Sequence, residues 1–194
     1  MFSGIIQGIG DIKNSNSDSF SIKTSVDLSN CEIGSSISCD GVCLTATSIK
    51  KIKDKEFVFS VNISEETRNR SCFRSIDESK LINIEKSLRL GDEISGHFVY
   101  GHVDCVTKIE NIQKLDNSWD FSFKKNEKMK KFIVEKGSIS INGISLTISK
   151  DLKNTFSVSI VPHTFENTNL KIAKEGDSVN IEFDSLARYV LGNE

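Results

Sequence analysis

A chain of 194 residues with 37% hydrophobic and 27% charged residues has the balance of a globular protein, enough for one sizeable core or two compact ones. Its net charge of -2, with signs interspersed, gives no broad basic footprint for nucleic acid, and no apolar run is long enough to cross a bilayer as a helix. The five cysteines, Cys31, Cys39, Cys43, Cys72 and Cys105, are odd in number and lack C-x-x-C spacing, which argues against both a disulfide framework and a zinc site.

In chain order, the opening Met1-Phe2-Ser3-Gly4-Ile5-Ile6 has neither the basic start nor the long apolar stretch of a secretory leader, so a cytoplasmic location is expected. The segment from Ser36 to Thr45 places apolar runs on either side of Asp40-Gly41, a dipeptide suited to the positive backbone angles of a two-residue hairpin. Beyond that turn, Val42, Leu44 and Ala46 form an apolar face, with Cys43, Thr45 and Thr47 opposite. Phe57, Phe59, Val61 and Ile63 then alternate with Val58, Ser60 and Asn62, the period of a half-buried strand.

The second half repeats the first. Gly101 answers Gly4, Ser138 to Thr147 answers Ser36 to Thr45 around the turn Asn142-Gly143, and Phe156-Ser157-Val158-Ser159-Ile160 with Thr164 answers Phe59-Ser60-Val61-Asn62-Ile63 with Thr67. Gly91-Asp92 recurs in order as Gly176-Asp177, so the chain reads as a tandem duplication with domains 1–97 and 98–194. Helical signal is sparse. Met129, Phe132, Ile133 and Lys136 predict one short helix, and Leu186, Tyr189, Val190 and Leu191 predict another behind a cap at Asp184 or Ser185. The locally basic run Lys124 to Lys131 reads as a solvated face. Many short strands with turn signals imply an all-β fold of sandwiches or closed barrels.

The polar faces beyond the two turns carry Cys43 and Thr45 in one half, Ser145 and Thr147 in the other. For a single strand an ordinary solvated face is the better reading; recurrence at both turns favours a pair of related ligand sites. Cys43 aligns with Ser145 and Ile5 with His102, so the halves differ in reactive groups, as two copies of one ligand in unequal roles would require. Taken alone, His102 reads as a structural histidine and Asp184 as a helix cap. No third ligand stands at a metal-binding spacing from His97 and His102, so no metal is expected.

The ordered series Met1 to Ile6, Asp40-Gly41-Val42-Cys43-Leu44-Thr45, Gly96-His97, Gly101-His102-Val103, Lys136-Gly137, Asn142 to Thr147 and Pro162-His163-Thr164-Phe165-Glu166 resembles the riboflavin synthase family across the whole chain. The resemblance implies two tandem six-stranded Greek-key β-barrels with a short C-terminal helix. It implies a homotrimer with sites between subunits, allows association with lumazine synthase, and calls for no cofactor. The implied reaction transfers a four-carbon unit between two 6,7-dimethyl-8-ribityllumazine molecules, giving riboflavin and 5-amino-6-(ribitylamino)uracil. Two such substrates would occupy each active site, and their positioning supplies much of the rate.

By the same resemblance Cys43, His102, Ser145 and Asp184 are the catalytic candidates, Ser145 and His102 serving the carbon acid in the C-terminal barrel. The implied ligand shell of the first repeat is Gly4, Ile5 and Ile6, then Cys43, Leu44 and Thr45, then Asn62, Ile63, Ser64, Glu65, Glu66 and Thr67. In the second it is Gly101, His102 and Val103, with Lys136, then Ser145, Leu146 and Thr147, then Val161, Pro162, His163, Thr164, Phe165 and Glu166. Ser3 and His163 depart from the family's usual Thr and Glu, and Leu186 to Glu194 allows little more than two helical turns for trimer contacts. The rival reading is a non-catalytic lumazine- or flavin-binding protein of the same fold, disfavoured because all four candidates are present. An oligonucleotide-binding barrel would want a basic groove with stacking aromatics, which one Trp, two Tyr and the slightly negative charge do not supply.

Overall fold

The computed structural model describes residues 1–13, 15–16, 18–74, 78 and 80–191. The first half forms β1 (Gly8–Lys13), β2 (Ser19–Thr24), β3 (Ser36–Cys39), β4 (Val42–Lys53), β5 (Glu56–Asn62) and β6 (Leu81–Lys86), with helix α1 (Glu65–Arg70) between the last two strands. The second half forms β7 (Cys105–Lys114), β8 (Trp119–Lys124), β9 (Ser138–Ile141), β10 (Ile144–Asp151), β11 (Thr155–Ile160) and β12 (Ser178–Phe183). Helix α2 (Pro162–Asn167) lies before β12 and α3 (Ser185–Leu191) after it. Each half closes into an antiparallel barrel. The order β1-β2-β5-β4-β3-β6 is matched by β7-β8-β11-β10-β9-β12, so both have the same Greek-key path.

The period-two pattern closes these barrels because each strand has one face to bury. Ile22, Ile37, Phe59, Val61 and Ile84 fill the first core; Phe121, Phe123, Phe156, Val158 and Ile181 fill the second. Phe123 and Phe156 stack at 5.3 Å, and Phe156 is fully buried. Phe156→Ala is therefore expected to lower the unfolding free energy by about 3–5 kcal/mol, read as the denaturant midpoint.

Both predicted turns form as two-residue hairpins. Cys39 pairs with Val42 around Asp40 (φ 47) and Gly41 (φ 76), and Ile141 pairs with Ile144 around Asn142 (φ 47) and Gly143 (φ 79). The hairpins meet tip to tip, so close that a Cβ on Gly41 would stand 2.6 Å from the Gly143 nitrogen. An approximate two-fold relation between the barrels runs through this contact.

One predicted helix does not form. Over 129–136 there is only a 3-10 turn, Glu127–Met129, capped by the Asn126 side chain at 3.1 Å from the Met129 nitrogen. Met129 and Ile133 nevertheless bury in the second core, and the positive φ of Lys136 turns the chain into β9. Apolar spacing there reports burial without a helix. Helices α1 and α2 were not predicted; Ser64 caps the first and Pro162 begins the second. Helix α3 forms as expected behind Asp184, whose Oδ1 accepts from the Leu186 nitrogen at 2.9 Å. The end of the tail, residues 192–194, lies outside the described residues.

Candidate active site

Two extended arms, residues 1–7 before β1 and 98–104 before β7, build the site. They pair with each other: the Phe2 nitrogen donates to the Val99 carbonyl at 2.7 Å and the Val99 nitrogen to the Phe2 carbonyl at 3.0 Å. Each arm hangs from the last strand of its own barrel by a buried glutamate. Glu85 accepts from the Ser3 nitrogen (2.8 Å), the Ser3 hydroxyl (2.8 Å) and the Gly4 nitrogen (3.0 Å). Glu182 accepts from the nitrogens of Tyr100 (2.7 Å), Gly101 (2.8 Å) and His102 (3.0 Å). Burial pushes both carboxyl pKa values up, and these backbone donors act against that shift.

The arms then cross the seam and press on the opposite barrel. The Ser145 nitrogen donates to the Gly4 carbonyl at 2.8 Å, and the Cys43 nitrogen to the Gly101 carbonyl at 2.9 Å. Ile6 packs on the second core and Val103 on the first. Each pocket is thus composite, one barrel plus the arm of the other repeat. Glycine is required at the crossings: Gly101 has φ +79, and a Cβ there would lie 2.5 Å from the Cys43 Cβ and 2.7 Å from its nitrogen. Gly101→Ala should lower the unfolding free energy by about 1–3 kcal/mol through strain and displacement of the arm, read as the denaturant midpoint.

The N-terminal pocket, about 500 Å³, is lined by Cys43, Thr67, Arg70, His102, Val103 and Arg188 among others. At its rim Arg70 pairs with Glu66 at 3.2 Å and Arg188 with Asp104 at 2.9 Å. At the C-terminal site, His97 Nδ1 stands 2.7 Å from Ser145 Oγ, and the His97 nitrogen donates to the Ser3 carbonyl at 3.2 Å. Burial holds the His97 imidazole below its usual pKa, opposed by the negative charge of Asp184. A neutral imidazole protonated on Nε2 can accept the serine proton through Nδ1.

The structure brings Ser145 together with His97, while His102 stands beside Cys43 at the other pocket. Within the single chain, then, His102 and Ser145, both expected to serve the carbon acid, are not brought together. The physical cause is the arm crossing: Glu182 suspends Gly101 and His102 over β4, away from β10. Gly4 lies on Ser145, and Ile5 is exposed beside it. Thr45, Asn62 and Thr147 are exposed on their strands, as are Lys136, Val161, Pro162 and His163 in their loop and helix start.

Several shell candidates are spent on structure. Leu44 and Ile63 bury in the first core, Leu146 packs on the second, and Phe165 stacks on Trp119 at 3.9 Å. Leu44 and Ile63 are buried, whereas Leu146 and Phe165 keep part of their surface exposed. The Ser64 hydroxyl caps α1, and Thr67, whose nitrogen it accepts from at 3.1 Å, reaches the N-terminal pocket with Glu66. Glu65, Thr164 and Glu166 lie on the two short helices. Asp184 is both the cap of α3 and a charge felt by His97. Sequence reasoning gave no role to His97, Glu85 or Glu182. The glutamates had a signal, since Asn83-Ile84-Glu85 recurs as Asn180-Ile181-Glu182.

A lumazine binding domain model matches residues 3–87 and again 100–184, the two arm-and-barrel units. The chain is 37% identical to a riboflavin synthase of Brucella abortus over 193 residues, covering 97% of this chain and 96% of that protein. It is 38% identical to a riboflavin synthase of Chlamydia muridarum over 191 residues, covering 97% and 92%. The fold superposes on LumP complexed with riboflavin with a TM-score of 0.81, at 23% identity, over 94% of this chain and 99% of that one. Fold and site together define a tandem lumazine-binding barrel protein. Within that class, the chain belongs to the riboflavin synthase family.

Proposed function

We propose that the chain catalyses the conversion of two 6,7-dimethyl-8-ribityllumazine molecules to riboflavin and 5-amino-6-(ribitylamino)uracil. The observation that carries this reading is the pair of composite sites, each one barrel plus the other repeat's arm, built on one plan but carrying different groups: Cys43 and His102 in one, Ser145 and His97 in the other. Two identical substrates in unequal roles need that combination.

The Ser145–His97 pair serves the carbon acid: a proton leaves the C7 methyl of one lumazine, whose electron-poor ring delocalises the carbanion. Asp184 stabilises positive charge on His97 as the proton arrives. The acceptor lumazine lies by Cys43 and His102, with Glu66 and Thr67 toward its ribityl chain and Thr45 two residues further along β4. At the C-terminal site, Thr147 and the start of α2, His163 to Glu166, take the equivalent place. Backbone groups of Gly4 to Ile6 and Gly101 to Val103 read the pyrimidine edges.

Mixing chelator-treated protein with 6,7-dimethyl-8-ribityllumazine and following riboflavin absorbance tests the reading. Steady product formation is the expected result; tight lumazine binding without product would assign the chain to the binding proteins of this fold instead. We further read the protein as a cytoplasmic homotrimer. Leu186, Tyr189 and Val190 of α3 are 72%, 79% and 74% exposed in the single chain, an apolar face suited to burial between copies. Among the described residues no helix is long and apolar enough to cross a membrane. Light scattering on a sizing column checks the trimer, and a second run with lumazine synthase added checks that association.

A further inference from the structure

The helices that follow β5 and β11 are built on one plan. At their starts the Arg68 nitrogen donates to the Ser64 carbonyl and the Phe165 nitrogen to the Val161 carbonyl, each at 3.0 Å. At their ends Ser71 Oγ donates to the Thr67 carbonyl and Thr168 Oγ1 to the Thr164 carbonyl, each at 2.7 Å. Thr164 answers Thr67 in the repeat, so Phe165 answers Arg68, and His163 answers Glu66. Glu66 and Thr67 line the N-terminal pocket.

What fastens each helix to its barrel differs. Arg68 Nη2 donates to Asp18 Oδ1 at 3.2 Å, just ahead of β2. Asp18 lies largely in water, so this pair holds weakly, and the buried Arg68 Nε has no partner among the described residues. Helix α1 has a second fastening in the Ser64 side chain, which caps its first turn. In the second repeat Trp119 takes the place of Asp18: the Asp18 carbonyl accepts from the Ile63 nitrogen, and Trp119 pairs with Ile160. Trp119 and Phe165 stack with 3.9 Å between ring centres and 5° between planes.

Helix α2 depends on that stack. It starts at Val161 without a side-chain cap, and none of its six residues is fully buried. A helix so short does not persist alone, so tertiary contact must place it. Phe165 makes that contact, tilted against Phe121 at 6.5 Å and flat on Trp119. The stack takes two large apolar faces out of water.

We propose that Trp119 is a positioning residue of the C-terminal site: by stacking on Phe165 it sets α2, and with it His163 and Thr164, against the ribityl chain of the ligand. One pair of equivalent positions, an exposed ion pair in one repeat and an aromatic clasp in the other, thereby gives the two sites walls of unequal stiffness. That the ligand is a lumazine rests on the function proposed above; that Trp119 sets α2 does not.

Calorimetric titration with 6,7-dimethyl-8-ribityllumazine tests the proposal in a Ser145→Ala background, where turnover is slowed. Adding Trp119→Ala should weaken one of the two lumazine sites per chain about tenfold and leave the other within about twofold. Trp119→Phe keeps an aromatic face and should return that site to within about threefold, while Asp18→Asn should move neither site by more than about threefold. A merely structural role would lower the melting temperature and weaken both sites alike; that result, no change at either site, or a tenfold effect of Asp18→Asn overturns the proposal. In ligand-free protein, Trp119→Ala should speed hydrogen exchange over residues 163–168 about fivefold or more, with no change over 65–70. Unchanged exchange over α2 overturns the clasp whatever binds, whereas faster exchange in a protein that binds no lumazine upholds the clasp and overturns the function proposed above.

Discussion

Ser145→Ala is expected to lower the rate of riboflavin formation about 10²-fold while leaving lumazine affinity within a few fold. The hydroxyl stands 2.7 Å from His97 Nδ1, and the alanine keeps the backbone nitrogen that holds the Gly4 arm, so the loss falls on proton transfer. His97→Gln should reduce the rate to a similar level, because the imidazole has no other side-chain partner among the described residues with which to act. The double variant should be little worse than either single one, as members of one proton-transfer unit behave non-additively. Single-turnover absorbance with a parallel fluorescence titration separates rate from affinity. Equal losses in both would reduce Ser145 to a binding group.

The second large effect is expected at Glu182, which acts through the arm it holds. Glu182→Ala removes the acceptor of three backbone N–H groups at 2.7, 2.8 and 3.0 Å and leaves them in a largely buried place. Each orphaned donor costs about 1–3 kcal/mol unless the arm swings into water. Either response is damaging. A retained arm predicts a fall in melting temperature of roughly 10 °C or more, and a released arm predicts loss of Gly101 and His102 from the N-terminal pocket. Glu182→Gln can accept through one oxygen only and should lie between alanine and the wild type. An unchanged melting curve together with unchanged flavin binding in Glu182→Ala would show that the arm is held by something other than this carboxylate.

The repeat, the barrels and the hairpins were legible because they are local or periodic. Alternation at Phe57 to Ile63 and Thr155 to Ile160 states which side of a strand is buried, and Asp-Gly and Asn-Gly each state a turn at a known place. The period failed at 129–136, where the apolar spacing served a non-helical segment that buries Met129 and Ile133 against the barrel. It was silent at α1 and α2, each six residues long and without a buried residue to mark a face.

The pairing of reactive groups is a different matter. The family resemblance identifies Cys43, His102, Ser145 and Asp184 as a set, but which histidine serves which hydroxyl or thiol depends on where the arms cross. His97 and His102 lie five positions apart, yet one stands at Ser145 and the other at the Cys43 pocket. Their separation follows from Glu182, far along the chain, accepting the hydrogen bonds of Gly101 and His102. By itself the sequence determined a duplicated all-β chain with two turns, two cores and a family. Only the tertiary structure decided that each pocket borrows its lid from the other repeat, because hydrogen bonds between residues about 80 or more positions apart leave no periodic trace.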